Sequence, residues 1–261
     1  MPPRVPSTTT LRLTIALGVC VLVAACQRPF DTALERGDAA AAKKQWKEAV
    51  DAYSAAVKLD PSSGFAQARL GAAAWNAGDH ALAASSWATA AGLDATNSVA
   101  ADGLARAALE AGDAGAALGV LEKLPTPQGP ARLTLVRALL AVGGPAEVTR
   151  ALELAQAAAA TGDDESVYLL GSAQIAAHKY ADAQSTLDGL QRRAPKSPLA
   201  PYGLARLAAA QQRQTDALLH LREAQQAAGT SWNSQAVAAD PAFVFLQDSA
   251  EFKALVTLGA K

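Results

Sequence analysis

Residues Trp46 to Pro61 read WKEAVDAYSAAVKLDP, a stretch in which large and small side chains alternate at helical spacing. Ala49 follows Trp46 by three residues, Tyr53 comes four residues later, and Ala56 three after that. These steps place the side chains on one helix face, and Pro61 cannot continue a helix. The stretch predicts a helix whose small residues let a second helix approach closely.

The same pattern returns at a fixed period, from Trp46 to His80 and from His80 to Ala114, which indicates an internal repeat. The second copy reads RLGAAAWNAGDHALAASSWATAAGLD, Arg69 to Asp94. Gly37 aligns with Gly71, and one column of large residues holds Tyr53, Trp87 and Leu121. Glycine followed by aspartate at 78–79 and 112–113 marks a turn between two helices.

Later units keep the pattern less regularly. A fifth unit contains Gly171, Tyr180, Ala183, Leu187 and Pro195, and a sixth runs from Pro198 to about Gly229. The step from Ala117 to Ala183 falls two residues short of two repeat periods. We expect the missing residues between Pro125 and Gly162, in an irregular fourth unit. A non-repetitive helical bundle with coincidental alanine spacing is the alternative.

These columns resemble the tetratricopeptide repeat (TPR) family over roughly residues 31–229. The resemblance implies an all-α fold, a right-handed α-solenoid of about six TPR-type helical hairpins with a C-terminal helical cap. A single such hairpin cannot bury its apolar face, whereas a stack of them can. The predicted division is 1–25 signal peptide, 26–30 lipidated tether, 31–229 solenoid and 230–261 capping helices.

Composition agrees with a helical protein and excludes some partners. Hydrophobic residues make up 51% of the chain, led by alanine, the strongest helix former. No alternating run of strand length is flanked by turns. The net charge is −1 without a basic stripe, so we expect no nucleic-acid partner.

The N-terminus has the order of an export signal. Arg4 and Arg12 carry the only charges before residue 28, and an apolar run from Leu13 to Ala25 follows. This run is too short to span a bilayer, which needs roughly 20 residues. A positive start, a short apolar core and small residues before a boundary are typical of a secretory signal.

The boundary Val23-Ala24-Ala25-Cys26 resembles the lipobox of bacterial lipoproteins. The resemblance implies cleavage before Cys26 and acylation of that cysteine, with Gln27 directing the protein to the outer membrane, facing the periplasm. Three acyl chains would anchor it stably, because one chain binds only marginally. An ordinary export signal with a chance cysteine, or an uncut membrane anchor, remains open.

The C-terminal stretch from Asp240 to Lys261 differs from the repeats, since it gathers Phe243, Phe245 and Phe252. We interpret it as an end cap over the last exposed apolar face. The alternative is a segment that docks onto a partner.

No catalytic or metal-binding pattern is visible, so we predict that the protein is not an enzyme and has no cofactor. His80, His178 and His220 are far apart and lack partners at metal-ligand spacing. Asp163, Asp164 and Glu165 open a helix, where acids cap the N-terminus and complement the dipole.

The expected function is therefore the binding of a protein or peptide. In the family, the first helix of each unit lines the concave wall, and the carried-over partner-binding positions are Phe65, Trp75, Asn76, Asp102, Leu109, Tyr168, Tyr202 and Arg206. Alternatively, their aromatic members pack between repeats. Of Leu34, Asp38, Arg69, Val99 and Gly103, which match a family clamp for terminal carboxylates, only Arg69 is suitable.

TPR lipoproteins of similar layout act in pilus and secretin assembly or as adaptors of cell-wall enzymes. The resemblance implies an outer-membrane scaffold that binds a periplasmic protein, with pilus or secretin assembly as the leading specific role. The alternatives are an adaptor or subunit of a cell-wall hydrolase or protease, and a spacer that contacts only itself.

Overall fold

The computed structural model describes residues 29–257. Every regular element in this range is helical, and most consecutive helices pack against each other, which confirms the all-α, TPR-type fold class. The predicted signal sequence, Cys26 and the last four residues lie outside the described residues, so the structure does not test them.

Twelve helices follow one another as six pairs before the C-terminal segment of the described chain. They are α1 (residues 29–42), α2 (Trp46–Leu59), α3 (Gly64–Asn76), α4 (His80–Leu93), α5 (Ser98–Glu110), α6 (Ala114–Leu121), α7 (Gly129–Val142), α8 (Pro145–Ala159), α9 (Asp164–Ala176), α10 (Tyr180–Arg193), α11 (Leu199–Ala210) and α12 (Gln214–Ala228). A 3-10 turn (Gly229–Ser231), α13 (Ser234–Ala239), a second 3-10 helix (Pro241–Leu246) and α14 (Ala250–Thr257) complete the described chain.

The chain divides into two compact units. Unit 1 comprises the described residues up to Gly112 together with Gly119–Thr126, and unit 2 comprises Asp113–Leu118 and the described residues from Pro127 onward. The division therefore falls within α6, the shortest helix of the six pairs.

The irregularity lies earlier than the sequence predicted. α6 has 8 residues, whereas α2 and α4 have 14 each. It ends at Leu121, before the prolines at 125 and 127. The number of residues from the start of α6 to the start of α7 is also smaller than the number from the start of α2 to the start of α3. The two helices of the α7–α8 hairpin, which we expected to be irregular, start at the same separation as those of the α3–α4 hairpin. Placing the whole loss after Pro125 was wrong, because the shortening begins inside α6.

The turn between the paired helices keeps one conformation in several copies. Gly78 and Gly112 have φ of 85° and 79°, in the left-handed region that favours glycine. Asp79 then caps α4 by accepting a hydrogen bond from the Leu82 amide. Lys44 in unit 1 and His178 and Gln212 in unit 2 also have positive φ at the corresponding turns without being glycine, so the turn is preserved there at a cost in backbone energy.

Large residues of second helices pack on glycines of first helices. In unit 1, Trp87 lies between Gly71 and Gly103, and a Cβ on Gly71 would come 2.6 Å from the Trp87 ring. In unit 2, Leu187 lies in the same way between Gly171 and Gly203. The column of large residues seen in the sequence is thus a packing column, because glycine lets two helices close on one side chain.

The C-terminal segment packs on the α11–α12 hairpin. Phe243, Leu246, Phe252 and Leu255 are buried in one cluster with residues of that hairpin. The Trp232 indole donates a hydrogen bond to the Leu255 carbonyl at 3.2 Å. This segment therefore covers apolar surface that the last hairpin would otherwise expose.

Candidate functional site

Unit 2 contains a groove of 690 Å³ on the face formed by its first helices. One side of the groove is lined by residues of α7, α9 and α11, and the rest by residues at the start of the second 3-10 helix. The lining residues are Arg137, Leu140, Ala141, Tyr168, Leu169, Ser172, Arg206, Asp240, Pro241 and Ala242. The groove is amphipathic, which suits a peptide side chain with both polar and apolar atoms.

Helical spacing brings the aromatic and cationic side chains of this groove together. Tyr168 on α9 and Tyr202 on α11 are one repeat apart, and their ring centroids lie 6.4 Å from each other. Arg206 follows Tyr202 by four residues, so both project from the same helix face. The three predicted groove residues of unit 2 are thus neighbours, with Tyr168 and Arg206 lining the groove.

A carboxylate from the C-terminal segment binds two of these side chains. The Tyr202 hydroxyl donates a hydrogen bond to Asp240 Oδ2 at 2.6 Å, and Arg206 Nε lies 3.5 Å from the same oxygen. The Asp240 side chain is 11% exposed, whereas that of Arg206 is 36% exposed. Burial raises the pKa of Tyr202 above its ordinary value, and the charge and hydrogen bond of Asp240 raise it further.

Sequence reasoning missed Asp240 and Arg137. Asp240 belongs to the segment interpreted as a cap, so nothing in its local pattern pointed to the groove. Its position before Pro241 indicates a helix cap, and it does accept from the Ala242 amide. Arg137 lies on α7, in the unit that the sequence predicts to be irregular, and it forms an ion pair with Glu165 of α9.

In unit 1, Phe65 and Arg69 form an exposed aromatic–cation pair on α3. Phe65 is 52% exposed, and the Arg69 guanidinium lies 4.7 Å from the centroid of its ring. Arg69 also forms an ion pair with Asp38, which accepts a hydrogen bond from the Tyr53 hydroxyl at 2.6 Å. The one clamp position suited to a terminal carboxylate thus already has a carboxylate partner.

Trp75 belongs partly to the core of unit 1. Its ring lies 5.5 Å from that of Trp87 and 4.4 Å from that of His80. The guanidinium of Arg106 lies 5.8 Å from the Trp75 ring centroid, and the side chain as a whole is half-buried. Trp75 therefore fits both interpretations of the sequence, because it packs between helices and also keeps part of its ring accessible to a partner.

The remaining predicted positions of unit 1 differ in exposure. The exposed Asn76 side chain donates a hydrogen bond to the Ala72 carbonyl at 2.8 Å, near the C-terminal end of α3. Asp102 and Leu109 on α5 are half-buried. Phe65 is thus the predicted position of unit 1 that offers the most apolar surface.

The acids at residues 163–165 cap a helix as predicted. Asp163 accepts from the Ser166 amide at 2.9 Å and from the Ser166 hydroxyl at 2.5 Å. The Ser166 hydroxyl, followed by that of Thr161, lowers the pKa of Asp163 to about 2. Asp164 pairs with Arg193 at 2.7 Å. These carboxylates have structural partners.

Within residues 29–257, no group of three or more His, Cys, Asp or Glu side chains is arranged to hold a metal ion. None of the helices in that range is both long enough and apolar enough to cross a bilayer.

Comparison with known proteins agrees with the repeat pattern. The tetratricopeptide repeat family model matches residues 34–98 and 168–231. No curated protein matches the chain in sequence.

Solved structures share the fold at low identity. PilF of Pseudomonas aeruginosa superposes with a TM-score of 0.61 and 13% identity, over 90% of this chain and 99% of that one. A tetratricopeptide repeat protein from Parabacteroides merdae gives 0.58 and 14%, over 90% and 100%. YrrB, described as a TPR protein with an unusual peptide-binding site, gives 0.51 and 17%, over 68% and 93%. At such identities the likeness concerns the fold alone.

Proposed function

We propose that this chain is a tetratricopeptide repeat protein and that it is a lipid-anchored scaffold that holds a protein partner in the bacterial envelope. A scaffold of this fold is suited to protein–protein interaction, because stacked hairpins present a broad surface of first-helix side chains. We propose the protein partner, the lipid anchor and the location in the envelope.

The groove of unit 2 is the observation that carries the proposal. Three successive first helices contribute to it, and it combines the Tyr168 ring with two arginines. Both arginines are paired with carboxylates of the chain itself, Glu165 and Asp240. A partner carboxylate can exchange with Glu165, whose side chain is exposed, more readily than with Asp240, which is largely buried. We therefore place the polar end of the bound segment near Arg137.

The anchor is proposed from the N-terminal sequence. Leu13 to Ala25 and the boundary at Cys26 have the order of a lipoprotein signal. Residue 29 is already helical, so three residues at ~3.6 Å each give a tether of about 11 Å. On this proposal the folded repeats are held against the outer membrane and face the periplasm.

The leading specific role is assembly of a pilus or secretin complex. It rests on the layout of a short lipid tether followed by six helical pairs, and the fold likeness to PilF is compatible with it. An adaptor role for a cell-wall hydrolase is the alternative that the experiment below must distinguish.

Affinity capture from detergent-solubilised membranes tests the scaffold with a matched pair of variants. Ala141 lines the groove on α7, and Ala157 is exposed on α8 of the same hairpin. Ala141→Arg fills the groove without emptying the core, and we expect it to reduce partner recovery at least tenfold. Ala157→Arg should retain the partner.

The captured protein identifies the role. A secretin supports the pilus assignment, a cell-wall hydrolase supports the adaptor, and capture of the chain alone contradicts the scaffold. Equal recovery with both variants would show that the unit 2 groove is not the binding surface. Mass spectrometry of the mature protein checks the acylation of Cys26.

A further inference from the structure

The large apolar side chains that unit 1 exposes lie along one edge. Among its described residues these are Leu59, Phe65, Leu93 and Val99, with exposed fractions of 53, 52, 47 and 49%. Leu59 and Leu93 are the last residues of α2 and α4, and Phe65 and Val99 are the second residues of α3 and α5. They therefore occur twice at the same two positions, one repeat period apart.

Topology places these four residues together. Short connections join consecutive helices, so neighbours run antiparallel, and the edge where α2 and α4 end is the edge where α3 and α5 begin. Gly64 at the start of α3 faces Leu93, with Cβ atoms 3.6 Å apart if Gly64 carried one. Asn97 also donates to the Gly64 carbonyl at 3.4 Å. We call this surface the helix-start edge.

The opposite edge of unit 1 has a different character. Its turns, at residues 43–45, 77–79 and 111–112, expose charged and small residues such as Lys43, Lys44 and Asp79. The gathering of large exposed apolar side chains on one edge is typical of an interaction surface.

The N-terminal end of the described chain lies at the helix-start edge. α1 precedes α2 by the same kind of short turn, and Gly37 of α1 packs on Tyr53 of α2 in the way that Gly71 packs on Trp87. α1 therefore begins at the edge where α3 and α5 begin. Cys26 is three residues before residue 29, so the proposed acyl chains enter the bilayer within about 11 Å of this edge.

We propose that the helix-start edge of unit 1 lies on the lipid bilayer, with Leu59, Phe65, Leu93 and Val99 in its interfacial region. This inference rests on the proposed acylation of Cys26. The anchor supplies the proximity, and the apolar side chains orient the unit by partitioning into the interface.

Charges of both signs lie at this edge, since Lys58 precedes Leu59 and the Arg69 guanidinium lies over the Phe65 ring. Asp60 and Asp94 also lie at the edge, where each accepts hydrogen bonds from the backbone and hydroxyl of a residue two positions on, Ser62 and Thr96. These acids would oppose binding to anionic headgroups. We therefore expect the contact on zwitterionic vesicles of phosphatidylethanolamine and phosphatidylcholine.

Site-specific fluorescence on the acylated full-length protein tests the orientation. The chain has two cysteines, of which Cys20 leaves with the signal and Cys26 carries lipid, so an introduced cysteine is the free thiol. Leu59→Cys and Leu93→Cys report on the helix-start edge, and Ala77→Cys and Ala111→Cys, exposed at the ends of α3 and α5, are matched controls. Each is labelled with an environment-sensitive dye and reconstituted in vesicles containing doxyl-labelled lipid.

We expect dyes at 59 and 93 to shift to the blue and to be quenched by doxyl lipid at least twofold more than dyes at 77 and 111. Equal quenching at both edges, or an unquenched dye at 59 and 93, would overturn the inference and point to a protein occupant of this edge. The mass of the N-terminal peptide separates the two proposals. An unacylated Cys26 overturns both, whereas acylation without selective quenching overturns the orientation alone.

Discussion

Unit 1 and unit 2 build the same core contact from different residues. A tryptophan, Trp87, fills the space between Gly71 and Gly103 in unit 1, and a leucine, Leu187, fills the space between Gly171 and Gly203 in unit 2. Both large side chains are almost completely buried. The repeat therefore requires a large residue between two small ones, and it tolerates either an aromatic or an aliphatic residue there.

The first-helix faces of the two units differ more than their cores. In unit 1 the Phe65 ring stays exposed under Arg69, and Trp75 turns partly into the core. In unit 2 the Tyr168 and Tyr202 rings lie beside a groove, and the C-terminal segment brings Asp240 to Tyr202 and Arg206. Surface chemistry thus varies between copies whose core positions are equivalent.

Removing the large residue from either core should have the largest effect. Trp87→Ala should lower the free energy of unfolding by about 3–5 kcal/mol, and Leu187→Ala by about 2–5 kcal/mol, because each leaves a cavity between rigid helices. Urea denaturation followed by circular dichroism measures both. A loss below about 1 kcal/mol in either variant would mean that the helices close over the gap.

Adding a methyl group to the paired glycines tests the other half of the contact. A Cβ on Gly71 meets the rigid Trp87 ring at 2.6 Å, and one on Gly171 meets the more flexible Leu187 side chain at 2.8 Å. We expect Gly71→Ala to cost about 1–3 kcal/mol, and Gly171→Ala to cost less, because overpacking forces neighbours to move.

Gly92 is the matched control for these variants. It lies in α4 with no atom near the position of a Cβ, so Gly92→Ala should stabilise by up to about 1 kcal/mol through helix propensity. Thermal unfolding of the three variants gives the order. Stabilisation by Gly71→Ala would contradict close packing on Trp87.

Alkaline pH should affect unit 2 through Tyr202. Its pKa is raised in the folded protein by burial and by Asp240, so the stabilisation is complete below the unfolded pKa of about 10 and is lost as pH rises above it. The free energy of unfolding should fall by up to about 1.4 kcal/mol per pH unit in that range.

Tyr202→Phe should remove this part of the alkaline loss, and Asp240→Asn should reduce it. Urea titrations at several pH values between about 8 and 11 measure the slope. Tyr53, whose pKa burial and Asp38 also raise, contributes a background from unit 1. If the free energy of unfolding of Tyr202→Phe falls with pH as steeply as that of the unchanged protein, Tyr202 does not cause the alkaline loss.

The turns should give the smallest effect, of opposite sign at a non-glycine and at a glycine turn residue. Gln212 has φ of 56° in unit 2, and Gly78 has φ of 85° at the equivalent turn in unit 1. Gln212→Gly should stabilise by about 0.5–1 kcal/mol by removing the left-handed penalty, and Gly78→Ala should destabilise by a similar amount. Thermal unfolding checks both, and equal signs would show that other contacts dominate these turns.

The helical pairs were predictable because their signals are local. Steps of three and four positions, together with the fixed repeat period, identify helices, turns and the column of Tyr53, Trp87 and Leu121 without any knowledge of distant contacts. The location of the shortened helix was not predictable in this way, since α6 ends at Leu121, before Pro125 and Pro127.

The candidate site was only partly predictable. Tyr168, Tyr202 and Arg206 were found because they occupy repeat positions. Asp240 lies 38 residues from Tyr202 and outside the periodic pattern, so a sequence pattern cannot connect the two. The sequence also could not decide whether an aromatic such as Trp75 faces outward or packs inward. A shift of one position in the repeat alignment turns such a side chain from the surface into the core.

Periodicity alone therefore determined that this protein is made of helical pairs with small residues at the close contacts, since each of those features depends on neighbours within one repeat period. Tertiary structure alone decided that a carboxylate of the C-terminal segment meets Tyr202 and Arg206, and that unit 1 exposes its large apolar side chains along one edge. Both of these depend on which helix ends come together when the hairpins stack, and side chains far apart in the chain become neighbours only through that packing.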